Sequence, residues 1–414
     1  MSAVHPMPFH EPRWSVEYVH ATPEAVLGDS DVLAVIAFGA NAPHFDDPRY
    51  LRVALEPWGD APLEVWRAGA PVQCGRDGDV AWADDGALLF GAIELDEGDV
   101  DPTRPASDIE TTADRLYRRL GEFLQAHGTP HLLRVWNYLD GITVGEGDLE
   151  RYRQFCVGRA RGLGDVDPNT LPAATAIGQV NPEGAPRRLQ VYWLASRVPG
   201  TPLENPRQIS AYRYPRQYGP QPPSFARAML PPAGSTMPLM LSGTAAIVGH
   251  ASRHSGSVPA QVDETLANLD SLVAAARRQA PELPATLGAG SLLKVYVRDI
   301  ADAPAIAARL AQQLDPARTT VSRIGRGPGL RQDDGFGALL RIRIQISRAR
   351  RRSRHATRDD TPPHAAPRAE PRAAAAHRVR AQRPRVHRDR ARTPSAANAR
   401  RSVRAESATA RAQP

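Results

Sequence analysis

The chain alternates between short apolar runs and stretches with helical spacing. Residues 32–39 (VLAVIAFG) are continuously apolar, partly β-branched and closed by glycine, which predicts a buried strand. Shorter runs predict further strands at Leu63–Trp66, Leu88–Ile93 and Leu132–Tyr138. Residues 107–127 open on a Ser-Asp cap, repeat apolar residues every three to four positions and stop at Gly128, which predicts an amphipathic helix. A second helix is predicted over 148–162, where Leu149, Tyr152, Phe155, Cys156 and Arg159 fall near one face. Residues 173–180 and 188–196 (RLQVYWLAS) read as a strand pair, and 242–250 (SGTAAIVGH) as strand and turn. A third helix is predicted over 260–279, with Val262, Leu266, Leu269, Leu272 and Val273 on its apolar stripe. Residues 291–297 (SLLKVYV) alternate as a strand, and 301–313 form a fourth helix. The expected class is α+β, with two domains over 1–145 and 146–320.

The pattern changes near residue 320. From 341 onward there is no aromatic residue, Leu, Gly or Lys, so too little apolar surface is available to offset ordering entropy. Residues 321–414 are therefore expected to form a mostly disordered basic tail. Its Arg, Ala, Pro and His content is what a GC-rich gene yields in a shifted reading frame, and a frameshift after about Thr320 is the reading adopted. The rival is a basic arm for a polyanion, but no aromatic residues interleave its arginines.

Charge supports that division. The net charge is +7, yet 341–414 alone carry 21 Arg against five acids. That leaves 31 basic and 40 acidic residues for 1–340, a balance of −9, so nucleic acid is not an expected partner. Lys294 is the only lysine. The two cysteines, Cys74 and Cys156, belong to no metal-binding spacing, and two thiols in 414 residues fit a reducing cytosol. Neither a signal segment nor a membrane-spanning apolar run is evident, so a cytoplasmic protein without a membrane partner is expected.

The densest chemistry lies at 205–250. Three Tyr, four Arg and a Phe crowd between residues 207 and 227 among prolines, followed by the small residues Ser242-Gly243-Thr244-Ala245. Arginine pairs with planar carboxylates, tyrosine adds directional hydrogen bonds, and proline fixes irregular backbone. Such a segment suits a pocket for a small, flat anion. Arg213 and Arg227 are the leading carboxylate anchors, with Tyr214 and Tyr218 orienting ligand oxygens; the alternative is loop packing and surface arginines. Arg159 could bind an anion or simply stabilise a helix C-terminus. Asn137 and Tyr138 could be pocket or core residues, Trp136 reads as core, and Cys156 as inert core. His250 could face the pocket or be a satisfied structural histidine. The glycines at 325–329 lack the strand–helix context of a phosphate loop.

Together with RVWNYL (134–139), ERYRQFCVGRARG (150–162) and ATAIG (174–178), this segment closely resembles the chorismatase family, from about the first twenty residues to about residue 300. The resemblance implies a C-terminal half with a YjgF/RidA-like fold and cleavage of chorismate with release of pyruvate. It implies a 3-hydroxybenzoate product, sometimes with 4-hydroxybenzoate; the hydrolytic subtype, giving a dihydroxycyclohexadiene carboxylate, and a non-catalytic ligand-binding remnant are the alternatives. No metal or organic cofactor is implied, and the chain could be a monomer or a trimer. Arg134, Asn137, Tyr138 and Arg159 join the substrate-binding set, and Gly243, Thr244 and Ala245 form a pocket wall. In the family the closing strand carries a Cys and a Glu. Here no Cys follows Cys156, and Arg341, Ile342 and Arg343 stand where the acid is expected. The final strand is expected to be lost and activity impaired.

Overall fold

The computed structural model describes residues 12–58, 62–99, 108–179, 185–287, 291–314, 319–324 and 342–348, the last two segments as backbone. The expected disordered tail beyond residue 348 and the segment 325–341 lie outside the described residues. The first elements are β1 (Ser15–Val19), α1 (Pro23–Leu27), β2 (Val32–Phe38), β3 (Tyr50–Val53) and β4 (Leu63–Arg67). Their four strands form a sheet in the order β1-β4-β2-β3. Every residue of β2 is buried, as a continuously apolar strand covered on both faces should be.

Next come β5 (Gln73–Asp77), β6 (Val80–Asp84), β7 (Leu88–Asp96), α2 (Asp108–His127), β8 (His131–Asp140), α3 (Arg151–Leu163), β9 (Ala173–Gln179) and β10 (Arg188–Ser196). Their strands form a six-stranded sheet in the order β5-β6-β7-β10-β8-β9. Strands β9 and β10 were expected to pair; instead β8 lies between them, parallel to β9 and antiparallel to β10. A sequence pattern registers that a strand is apolar, not which neighbour takes its hydrogen bonds. The sheet draws strands from both sides of residue 145, so the expected domain division falls inside it.

Two cores lie on opposite faces of this sheet. Tyr192 of β10 faces Trp66, Phe90 and Trp136 on the side of the first sheet, whereas Val191 and Trp193 face Leu116, Tyr117 and Leu120 of α2. Helices α2 and α3 touch closely through two glycines. A Cβ on Gly158 would meet the Glu110 carbonyl oxygen at 1.9 Å, and one on Gly162 the Asp114 carbonyl oxygen at 2.5 Å. The GRARG run is therefore a packing seam that fixes where the other α3 side chains point. Leu149, expected on the apolar face, is instead 72% exposed, because α3 begins only at Arg151 and a 3-10 turn precedes it.

Downstream lie β11 (Thr201–Leu203), β12 (Ala228–Leu230), β13 (Met240–Leu241), β14 (Ile247–Val248), β15 (Ala251–Ser252), α4 (Val258–Arg277), β16 (Ser291–Val297), α5 (Ala303–Gln313), β17 (Thr319–Ile324) and β18 (Ile342–Arg348). Ser257 caps α4 by accepting from the Ala260 amide, and the predicted stripe Val262, Leu266, Leu269, Leu272 and Val273 is buried. Helices α4 and α5 share a core with Leu293 and Val295 of β16. Strand β16 pairs parallel with β17 and antiparallel with β18. The expectation of a lost final strand does not hold for the backbone: residues 342–348 take a place beside β16, since alternation alone suffices to pair a strand.

A basic, aromatic cleft at the sheet edge

Strand β9 is the edge of the six-stranded sheet, and the irregular segment folds against it. The Ala226 amide donates to the Pro172 carbonyl at 3.0 Å and the Gly243 amide to the Ala174 carbonyl at 3.3 Å. Ser242 Oγ links the layers, accepting from the Ala174 amide at 2.9 Å and donating to the Ala226 carbonyl at 2.5 Å. The result is a narrow cleft lined by Tyr152 and Arg159 of α3, Ala174, Thr175 and Ala176 of β9, Tyr214, Pro223, Phe225 and Arg227 of the irregular segment, and Gly243, Ala245 and Ile247.

Two buried guanidinium groups dominate it. Arg159 is 3% exposed, stacks 5.0 Å from the Tyr117 ring, and leaves Nε and Nη2 without hydrogen-bond partners. Arg227 is 5% exposed; its Nη2 donates to the Tyr214 hydroxyl at 2.8 Å and to the Ile209 carbonyl at 2.9 Å, while Nε is unpartnered. The Phe225 and Tyr214 rings lie 5.3 and 5.5 Å from it. These nitrogens keep charge-assisted hydrogen-bonding capacity that no described residue uses. One carboxyl stands near Arg227: burial holds Glu204 above the usual carboxylate range, against the pull of Arg227.

The far wall is held from behind by α4. Asn268, fully buried, donates through Nδ2 to the Ala245 and Ile247 carbonyls at 2.9 and 2.8 Å. Gly243 packs tightly: a Cβ there would lie 3.0 Å from Thr175 Cγ2, so that side chain would have to shift by a few tenths of an ångström.

Of the twelve candidate residues, Arg159, Tyr214, Arg227, Gly243 and Ala245 line the cleft. Thr244 is buried beside the wall, its hydroxyl turned to the Ser242 carbonyl at 3.0 Å. Tyr218 and His250 form a half-buried pair outside the lining, hydroxyl to Nδ1 at 2.9 Å and ring edge to ring face, with the rings of Tyr214 and Tyr218 tilted and 5.4 Å apart. Arg213 is exposed and lies over the Tyr212 ring, away from the lining. Asn137 supports β9 from beneath, donating to the Thr175 carbonyl at 2.9 Å and accepting from the Tyr117 hydroxyl. Tyr138 points into the interior, 3.0 Å from the Tyr296 hydroxyl, where burial raises its pKa. Arg134 lies behind Thr175 and donates to its hydroxyl. Cys156 is buried and its thiol is pushed up to about 12, as inert core should be.

Tyr152, Thr175 and Phe225 were not singled out from sequence as ligand contacts. Tyr152 and Arg159 are seven residues apart, two helical turns, and an arginine on an otherwise apolar face was the available signal. Thr175 lies in the ATAIG run and Phe225 in the arginine- and tyrosine-rich segment, but neither stood out as a ligand contact, because only the strand order makes β9 an edge.

Residues 64–195 match the FkbO/Hyg5-like chorismatase N-terminal domain, a match that runs to the end of β10. A chorismatase of Streptomyces hygroscopicus is 38% identical over 285 residues, spanning 66% of this chain and 78% of that protein. The chain belongs to the chorismatase family. A 3-hydroxybenzoate synthase from the same organism is 34% identical over 253 residues, 59% of this chain and 71% of that protein. The crystal structure of a chorismatase superposes with a TM-score of 0.68 at 32% identity, covering 82% of this chain and 98% of the other. Among the described residues no cluster of His, Cys, Asp and Glu could hold a metal ion, and no helix is long and apolar enough to cross a membrane.

Proposed function

We propose that the cleft binds chorismate and that this chain is a pyruvate-releasing chorismatase of the 3-hydroxybenzoate-forming kind, with reduced turnover. The observation that carries this reading is the pair of buried guanidinium groups, Arg159 and Arg227, which line one aromatic cleft and each leave hydrogen bonds unmade. Chorismate presents a ring carboxylate and an enolpyruvyl carboxylate, and two such arginines answer both anions. Tyr152 and Tyr214 flank the ring, and the Gly243–Ala245 wall leaves room at its side.

Cleavage of the enol ether requires a proton on the terminal methylene carbon. Water adds to the resulting oxocarbenium-like carbon and the hemiketal collapses by breaking the bond between that carbon and the ether oxygen, giving pyruvate and the ring diol. In internal elimination the ring–oxygen bond breaks with pyruvate as the leaving group, and loss of a ring proton gives the hydroxybenzoate. A positioned acid must deliver that proton. Strand β18 reads IRIQISR and contains no carboxyl, whereas the family resemblance implies a glutamate on the closing strand. Reduced catalysis with retained binding follows. That missing acid also favours the second reading, a ligand-binding protein without turnover.

Pyruvate release coupled to lactate dehydrogenase, with chromatography of the ring product, tests both. The expected result is slow pyruvate formation above the spontaneous rate, with 3-hydroxybenzoate as the ring product. Binding of chorismate without pyruvate would leave the binding reading. A dihydroxycyclohexadiene carboxylate would assign the hydrolytic subtype. No binding at all would overturn the assignment of the cleft.

A further inference from the structure

Arg134 lies on β8, one layer behind the cleft, and is 1% exposed. Its Nη1 donates to the Val135 carbonyl at 2.8 Å, its Nη2 to Thr175 Oγ1, and its guanidinium lies 4.6 Å from the Trp136 ring. None of these partners carries charge. The titratable groups acting on it are Tyr296, Tyr192, Tyr138 and Arg159, three neutral phenols and a second cation, and burial pushes its pKa down to about 10. No described carboxylate forms an ion pair with it. The acid of the neighbouring interior, Glu64, is already committed: it meets Lys294 Nζ at 2.6 Å and accepts from the Tyr18 hydroxyl at 2.9 Å and Trp66 Nε1 at 3.0 Å. Lys294 and Arg134 repel one another. Behind the cleft, therefore, two buried cations share one anion.

A buried charge without a counter-charge is costly, and an anion a few ångströms away in a dry site would lower that cost. Thr175 makes the connection. Its oxygen accepts from Arg134, so its hydroxyl hydrogen can be donated onward, and Thr175 lines the cleft. We propose that Arg134 is a positioning residue that supplies the cleft's third positive charge through Thr175 and so selects ring ligands bearing a carboxylate over neutral ones of the same shape. This rests on the cleft being the anion site proposed above, and it assigns Arg134 a part in specificity without contact to the ligand.

The test compares benzoate with its neutral isostere benzamide, by calorimetry on the full chain and its Arg134→Gln and Arg134→Lys variants. Glutamine removes the charge but is two bonds too short to reach both Thr175 Oγ1 and the Val135 carbonyl, so Arg134→Lys, which keeps the charge and loses the two-nitrogen fork, separates charge from hydrogen bonding. The expected result is a benzoate affinity lowered about tenfold in Arg134→Gln, with benzamide unchanged and most of the preference kept in Arg134→Lys. An unchanged preference in Arg134→Gln, or an equal loss for both compounds, would overturn the proposal. Thr175→Asp serves as an arm independent of ligand binding and of whether the neutral variant folds. A carboxylate placed against an uncompensated Arg134 should raise the ligand-free Tm by a few degrees; a fall would count against the missing counter-charge. If the unmodified chain binds neither compound, the assignment of the cleft fails, and the Thr175→Asp result still decides the state of Arg134.

Discussion

Two buried cationic regions of this molecule differ in one respect. Where β16 meets β4, Lys294 and Glu64 are each 3% exposed, bonded at 2.6 Å, with Tyr18 and Trp66 completing the carboxylate and Lys294 lying 4.9 Å from the Phe38 ring. At the edge of β9, Arg159 and Arg227 are as deeply buried, yet neither forms an ion pair with a described carboxylate; three of their nitrogens, like Lys294 Nζ itself, make no hydrogen bond. The first region is closed and can only hold the fold together. The second leaves its cations without a carboxylate partner among the described residues, a place that the bound anion takes under the function proposed above. Whether a buried charge is satisfied within the protein thus separates an internal clamp from a binding surface better than burial or residue type does.

The largest expected effect comes from breaking the clamp. Lys294→Met leaves Glu64 buried without its cation and should cost about 3–5 kcal/mol of folding stability in chemical denaturation. The double variant Lys294→Met with Glu64→Gln should recover much of that loss; a double variant as unstable as the single would show that packing rather than charge was lost.

The cleft should behave in the opposite sense. Arg159→Met should weaken binding of 3-hydroxybenzoate by about 10- to 100-fold while changing the melting temperature little, since the bonds it loses are not made in the free protein. A large fall in stability with binding preserved would place Arg159 with the clamp.

The wall provides a steric counterpart. Gly243→Val brings bulk against Thr175, with even the Cβ at 3.0 Å from its Cγ2, and should reduce ligand affinity severalfold with a stability cost of about 1–3 kcal/mol. Gly243→Ala should do so less. Calorimetry and thermal denaturation measure both.

The smallest effect tests the rule on an anion away from the cleft. Asp140 is 4% exposed; its Oδ2 accepts from the Arg188 amide at 2.9 Å, and its Oδ1 is unpartnered. Burial, the largest cause, pushes its carboxyl up to about 6. Because the folded value lies above the unfolded one, the folded state binds the extra proton between about pH 4 and 6. This residue's penalty is then fully present above about pH 6 and disappears as the pH falls toward 4. Asp140→Asn should therefore stabilise the protein by about 1–2 kcal/mol at pH 8 and hardly at all at pH 4. A gain independent of pH would assign the effect to something other than the charge.

Local order was legible wherever one face of an element repeats. The apolar run of β2 and the stripe of α4 each describe an element whose own residues decide its form, whereas 342–348, expected to be lost as a strand, pairs with β16. The segment from 205 to 250 was recognisable as chemical because arginine, tyrosine and proline rarely crowd together without a ligand or a tight loop to serve. Sequence by itself also determined that residues 342–348 contain no carboxyl, whatever place the strand takes. What it could not determine was partnership. Tyr214 and Tyr218 are four residues apart, yet one lines the cleft and the other pairs with His250 outside it. Arg213 and Arg227 are chemically alike, yet the first is exposed and the second buried. Those outcomes depend on β8 lying between β9 and β10, which leaves β9 as an edge for the irregular segment to cover. They also depend on the glycine seam that turns Arg159 and Tyr152 toward that edge. The chain specifies which groups can carry charge; only the tertiary structure decides which of them find a counter-charge within the protein, because burial and pairing are set by contacts between segments far apart along the chain.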